Sequence, residues 1–251
     1  QWPMARRDAA LRLFCFHPAG VSAAVYRQWG FGLPLTVEVA AVQLPGRANR
    51  LKEPPFANIP SLVDALVSNL APHFEGRFAF FGHSMGAVLA HELAHALRDR
   101  GLPLPSHLIV SGRRAPTAPN PFPPLSHLPD DVFVTEINRR YGGIAPEILQ
   151  HQDVLDLLLP CLRADIAALE SFVLPVRPPL DIPIAAFGGD DDGQTPVKDL
   201  EPWRLETTAG FGVRVFPGGH FYLDPLREKI LAEVQAILRP YMTFAGGSLR
   251  P

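Results

Sequence analysis

Phe78-Ala79-Phe80-Phe81-Gly82-His83-Ser84-Met85-Gly86-Ala87-Val88-Leu89-Ala90-His91-Glu92-Leu93-Ala94 is the stretch on which the reading of this chain turns. Its first four residues form a short apolar run of the kind that makes a buried strand. From Ala87 onward no Gly or Pro intervenes until Gly101, so a helix follows. Between the two, Gly82-His83-Ser84-Met85-Gly86 fits Gly-x-Ser-x-Gly, a strained strand-to-helix turn that holds a nucleophilic serine at its tip. The glycines let strand and helix pack closely around that turn. The pattern alone is common; a strand before it and a helix after it make it specific.

Such an elbow predicts an α/β-hydrolase and the remaining triad in the chain order Ser, acid, His, each on a loop after a later strand. Ile182–Phe187 is one such strand, and it runs into Gly188-Gly189-Asp190-Asp191-Asp192-Gly193. Phe211–Phe216 alternates like another and ends in Pro217-Gly218-Gly219-His220. Ser84 is thus the candidate nucleophile and His220 the base that takes its proton. The acid is one of the three consecutive aspartates. Neighbouring acids point in different directions, so only one faces the histidine. An acid after the preceding strand is excluded, because residues 111–120 contain no Asp or Glu.

The rest of the chain alternates strand and helix. Leu11–Phe16 and Leu35–Leu44 read as strands, with a short helix over Ser22–Trp29 between them. Ile59, Leu62, Val63, Leu66, Val67 and Leu70 mark one face of an amphipathic helix. Leu108-Ile109-Val110 is the strand after the elbow helix, and Ile230, Leu231, Val234, Ile237 and Leu238 mark the closing helix. This pattern implies a mostly parallel sheet covered by helices on both faces, in one domain over residues 10–241. Residues 1–9 and 244–251 read as flexible termini. One stretch breaks the rhythm: after the Pro-rich run 113–124, residues 125–172 carry helical signal and no strand. Asp130 and Asp131 are expected to cap a helix ended by Gly142-Gly143, and Val154–Glu170 reads as a further pair of helices. The apolar count at Leu155, Leu157, Leu158, Leu159 and Leu162 favours a lid over the elbow rather than a solvated face.

Composition bounds the function. A chain of 251 residues with 47% hydrophobic content buries one sizeable core. A formal net charge of −2 offers no electrostatic footprint for nucleic acid or an anionic membrane, and no apolar run reaches a membrane span. The only two cysteines, Cys15 and Cys161, lie in a strand and a helical stretch, which argues against a disulfide framework and for a reducing, cytoplasmic setting.

Several motifs together resemble the type II thioesterases that accompany nonribosomal peptide and polyketide synthases. They are Phe16-His17-Pro18-Ala19-Gly20, Leu44-Pro45-Gly46-Arg47, Gly82-His83-Ser84-Met85-Gly86, Ser126-His127-Leu128-Pro129-Asp130-Asp131 and Pro217-Gly218-Gly219-His220-Phe221. The resemblance spans about Leu11 to Leu238, insertion included. It implies hydrolysis of acyl groups from the phosphopantetheine thiol of an acyl- or peptidyl-carrier protein, with no cofactor and no metal. It places the triad acid at Asp192, and Asp190 and Asp191 on the surface or in loop capping. It also implies an oxyanion hole from the backbone N–H groups of Met85 and Ala19. One departure stands out: the family carries a second glycine where this chain has Val21, which affects the shape of that loop.

Other features have simpler readings. His91-Glu92-Leu93-Ala94-His95 matches H-E-x-x-H, yet it lies on the elbow helix with no third ligand signalled, and reads as accidental. His83 reads as a packing residue under the elbow, His17 as a loop brace, and His73, His107, His127 and His151 as surface residues. Arg47, Arg50, Lys52, Arg113 and Arg114 follow strands that rim the site. Their ordinary reading is a solvated edge; the functional one, strongest for Arg47, Arg113 and Arg114, is a docking patch for the phosphate of phosphopantetheine and an acidic carrier. The expected protein is a serine thioesterase, a monomer by preference. The alternatives are a general carboxylesterase or lipase, and a non-catalytic binding protein on the same scaffold.

Overall fold

A computed structural model of the chain describes residues 1–243 apart from Arg7 and Ala145. Six parallel strands lie in the order β2-β1-β3-β4-β5-β6. They are β1 (Leu11–Phe16), β2 (Val37–Val42), β3 (Phe78–His83), β4 (Leu108–Ser111), β5 (Ile184–Gly189) and β6 (Phe211–Phe216). Around them run α1 (Trp29–Gly32), α2 (Ile59–Leu70), α3 (Met85–Asp99), α4 (Asp130–Tyr141), α5 (Pro146–Leu149), α6 (Gln152–Glu170) and α7 (Arg227–Leu238). The strand ends stay in step: Phe16 pairs with Gly82, His83 with Ser111, and Gly189 with Phe216. The carboxyl ends of β1, β3, β4, β5 and β6 therefore share one edge. β1 passes to β2 on one side and β3 continues on the other, so the end of β3 is the topological switch point where α/β sheets bind ligands.

The strands explain their own burial. Side chains alternate across a strand, so Phe14 and Phe16 enter one core with Phe78, Phe80, α2 and α3. Leu11, Leu13 and Cys15 enter the other with Ala79, Phe81, Trp29 and α7. Both faces are dry, which is why Phe78–Phe81 is apolar without alternation. Asn58 caps α2 by accepting from the Ser61 N–H at 2.9 Å, and the face bearing Ile59, Leu62, Val63, Leu66 and Val67 is the buried one.

The structure departs from the sequence reading in a few places. Ser22–Trp29 is no single helix but a 3₁₀ turn at Ala23–Tyr26 followed by the short α1. The expected pair of helices within Val154–Glu170 is the single helix α6, which runs through Pro160. An interior proline costs about 3 kcal/mol, but Leu155, Leu159 and Ile166 on either side pack as one stripe against Phe133 and Ile137 of α4. Pro129 holds the N-cap position of α4; Asp130 and Asp131 instead sit in its first turn, facing the positive end of the helix dipole. His107 is not a surface residue: its ring packs on Tyr241 and burial pushes its pKa down to about 4. The N-terminal segment is tied to the sheet edge, with the Arg6 guanidinium donating to the carbonyls of Leu33, Pro34 and Val37. The tail from residue 244 lies outside the described residues.

Candidate active site

The elbow forms as its sequence requires. Ser84 sits at φ 56°, ψ −113°, a left-handed conformation that a serine adopts only when its surroundings impose it. Its N–H is anchored to Ser111 O at 2.8 Å. The flanking glycines are there for close approach: a Cβ on Gly82 would collide with the Gly86 carbonyl, and one on Gly86 with the Phe16 carbonyl. Any larger residue would push α3 off the sheet.

Three loops at the shared edge bring the polar groups together. Ser84 Oγ lies 3.0 Å from His220 Nε2, and His220 Nδ1 lies 2.7 Å from Asp192 Oδ2. A carboxylate only accepts, so Nδ1 carries the proton and Nε2 is free to accept from the Ser84 hydroxyl. Asp192 Oδ1 in turn accepts the N–H groups of Gln194 at 2.9 Å and Thr195 at 3.2 Å. Burial works to raise the Asp192 carboxyl, but the hydrogen bond and charge of His220 and these two amides outweigh it, and its pKa is held below the ordinary value. Asp190 and Asp191 are exposed, and Asp190 accepts from the Gly218 N–H at 2.8 Å. Ser84, His220 and Asp192 are each less than a tenth exposed.

The β1 loop lies beside Ser84. Among the described residues, the amides of Ala19 and Met85 donate to no protein acceptor, whereas the Gly20 N–H donates to Asp165 Oδ2 at 2.8 Å. A pocket of about 150 Å³ opens from Ser84 and His220 between this loop and α4 to α6, walled by Ile137, Tyr141, Leu155, Leu159, Leu162 and Ile166. Its walls are apolar and its mouth carries the polar triad, the arrangement that suits an acyl chain with a reactive carbonyl at one end.

The family model for the thioesterase domain matches residues 11–238. The chain belongs to the thioesterase family. It is 40% identical over 215 residues to the gramicidin S biosynthesis protein GrsT of Aneurinibacillus migulanus, covering 86% of this chain and 84% of that protein. RedJ, a thioesterase from the prodiginine biosynthetic pathway of Streptomyces coelicolor, has the same fold with a TM-score of 0.85 at 38% identity, covering 92% of this chain and 87% of that one. YbtT, a type II thioesterase from the yersiniabactin NRPS/PKS pathway, superposes with a TM-score of 0.84 at 29% identity, covering 96% and 97% of the two chains. This thioesterase is therefore a hydrolase of thioester bonds with the α/β-hydrolase fold. No helix among its described residues is long and apolar enough to cross a membrane.

The basic residues fall out differently from their sequence reading. Arg47 is buried and cannot dock a partner: its Nη1 and Nη2 grip Asp165 at 2.6 and 2.9 Å. Arg50 is paired with Glu53, and Arg114 donates to the carbonyls of Pro119 and Gln194. Of the three prime docking candidates, Arg113 lines the apolar pocket that holds Ser84, and Arg113 and Arg114 both line a smaller polar one beside Ser84 and His220. Sequence reading missed Asp165, because a lone Asp in an apolar helix has no motif; only the fold reveals that it joins α6 to both Arg47 and Gly20. It also missed Tyr141, whose ring stands edge-on to His220 at 5.1 Å. His83 braces the elbow through Ser111 Oγ at 2.9 Å, which in turn meets Tyr222 Oη at 2.6 Å. Burial, then the charge of His220, push His83 down to about 3, so it stays neutral beside His220. His17 holds Pro18 O at 2.8 Å, and burial, then Arg47, push it down to about 4.

Proposed function

We propose that this thioesterase removes acyl groups from the phosphopantetheine arm of an acyl- or peptidyl-carrier protein in the cytoplasm, through an acyl-Ser84 intermediate. The observation that carries the reading is the continuous relay Asp192–His220–Ser84 at the mouth of an apolar pocket. His220 Nε2 takes the Ser84 proton as Oγ bonds to the thioester carbonyl carbon. The developing oxyanion is met by the free amides of Met85 and Ala19, each such donor being worth about 3 kcal/mol. The C–S bond then breaks and His220 returns its proton to the sulfur. A thiol with a pKa near 8.5 leaves far more easily than an alcohol, so attack of water on the acyl-serine, again through His220, limits turnover. The segment 125–172 acts as a lid: α4 and α6 share an apolar cluster of their own and wall the acyl pocket. Relatives named for biosynthetic pathways support the carrier as substrate.

The test presents one acyl group on a carrier protein, on a small thiol and as an oxygen ester, with Ser84→Ala as control. The expected result is a strong preference for the carrier-bound form, abolished by Ser84→Ala. Equal or faster turnover of the oxygen ester would overturn the carrier reading in favour of a general esterase.

A further inference from the structure

The H-E-x-x-H spacing of α3 lacks a third ligand in sequence, and the fold supplies one. His91 Nε2 and His95 Nε2 meet at 3.1 Å. From the 3₁₀ segment Glu201–Glu206, the Glu206 carboxylate comes within 3.4 Å of His91 Nε2. The three donor atoms all lie within 4.8 Å of one another, and all three residues are buried. None takes part in the Ser84 chemistry: His91 lies two helical turns beyond Ser84, about 10 Å along the axis.

With both histidines neutral, the cluster sets lone pairs against one another. His91 Nδ1 faces Glu92 Oε1 at 3.1 Å, and Glu92 is held in turn by Arg177. With Nδ1–H given to Glu92, His91 presents a bare lone pair at Nε2. That lone pair confronts the Glu206 carboxylate and His95 Nε2. A proton on His95 Nε2 answers the contact with His95 and leaves the Glu206 carboxylate facing the His91 lone pair. A tetrahedral ion with bonds of about 2.0–2.1 Å separates neighbouring donors by about 3.3 Å. The two separations at His91, 3.1 and 3.4 Å, bracket that value, and the third, from His95 to Glu206, lies within 4.8 Å. A carboxylate behind the distal nitrogen of a ligating histidine is also the usual outer support of such a site.

We propose that His91, His95 and Glu206 form a buried site for a divalent metal ion, zinc by donor set and geometry, that pins α3 to the segment 201–206. A cavity bounded by Val88, His91, Glu92 and Trp203 and by the loop from Arg113 lies beside His91 and would supply the water of the fourth position. The site is structural. Glu92, which would be the general base in a metalloprotease, has its Oε1 held by Arg177 and by Nδ1 of His91, on the far side of the His91 ring from Nε2. The ion would join the helix that carries the nucleophile to the chain that follows Asp192.

The experiment strips the purified protein with a chelator, restores ZnCl2, desalts, and measures zinc per chain by mass spectrometry. Cobalt(II) titration reads the coordination geometry from its visible spectrum. The expected result is one zinc per chain, tetrahedral cobalt bands, and a melting temperature raised by about 5–10 °C at a hundredfold excess over Kd. Glu206→Gln, and separately His95→Gln, lower zinc affinity at least 100-fold, while the metal-free variants hydrolyse a small thioester at the wild-type rate. Zinc retention equal in wild type and both variants would overturn the proposal by placing the metal elsewhere, as would substoichiometric zinc in the wild type. Circular dichroism of the metal-free variants separates loss of ligand from loss of fold.

Discussion

Asp165→Leu, Arg47→Met and the double variant separate two duties of one buried contact. Arg47 and Asp165 form a two-pronged ion pair at 2.6 and 2.9 Å, with side chains only 6% and 4% exposed. Asp165→Leu strands the Arg47 guanidinium away from water, and breaking a buried pair on one side costs about 3–5 kcal/mol. The double variant removes both charges and replaces them with apolar volume, so stability returns to near wild type or above it. Activity follows a different rule. The second partner of Asp165 is the Gly20 N–H at 2.8 Å, beside the Ala19 amide that we assign to the oxyanion hole. Losing Asp165 frees that loop in both the single and the double variant, and misplacing one oxyanion donor costs up to about 10²–10³ in kcat. Arg47→Met leaves the Asp165–Gly20 bond and so retains most of kcat while losing stability. Urea unfolding reads the first quantity and thiol release from a small thioester reads the second. A double variant with full kcat would refute the positioning argument. A loss below about 1 kcal/mol in Asp165→Leu, the range of an exposed pair, would refute the buried-pair argument.

Three further outcomes are expected. Asp192→Asn should lower kcat by about 10⁴, because an amide no longer fixes the His220 tautomer or stabilises its charged form; a loss under tenfold, measured on the folded variant, would move the acid to another residue. Arg113→Glu should slow hydrolysis from a carrier protein much more than from a small thioester, since Arg113 lines the pocket that holds Ser84; equal loss on both would count against a docking role. Stability should fall as pH drops below 6.5. His17 and His83 are buried neutral, with pKa values pushed from 6.5 to about 4 and about 3. Between those values and 6.5 the unfolded chain binds more protons, so each contributes a slope of up to about 1.4 kcal/mol per pH unit that is absent above 6.5. Urea unfolding at pH 7 and pH 5 measures that slope, and His83→Gln should reduce it by about one histidine's share; an unchanged slope would show that His83 is not held neutral.

Local sequence carried the elbow because its geometry is local. Strand, strained serine and helix occupy one run of residues, and the colliding Cβ positions at Gly82 and Gly86 explain why glycine stands on both sides. The strand β6 and helix α2 were legible for the same reason, since alternation and 3.6-residue periodicity are properties of the chain itself. The pair of helices expected over Val154–Glu170 is one helix, because a packed stripe overrides the local breaker Pro160, and Ser22–Trp29 was too short for periodicity to resolve.

By itself, the sequence determined the doubly covered parallel sheet and pointed to Ser84 and His220 as the nucleophile and histidine we propose, because each is announced by residues within a few positions of it. Among the three aspartates the residues alone left a choice that resemblance resolved toward Asp192; the tertiary structure puts its Oδ2 2.7 Å from His220. Only the fold decided that Arg47 is an internal brace and not a surface cation, and that Glu206 joins His91 and His95. Those contacts connect residues from distant parts of the chain. Their energy depends on burial and mutual orientation, which exist only once the sheet has set the loops side by side.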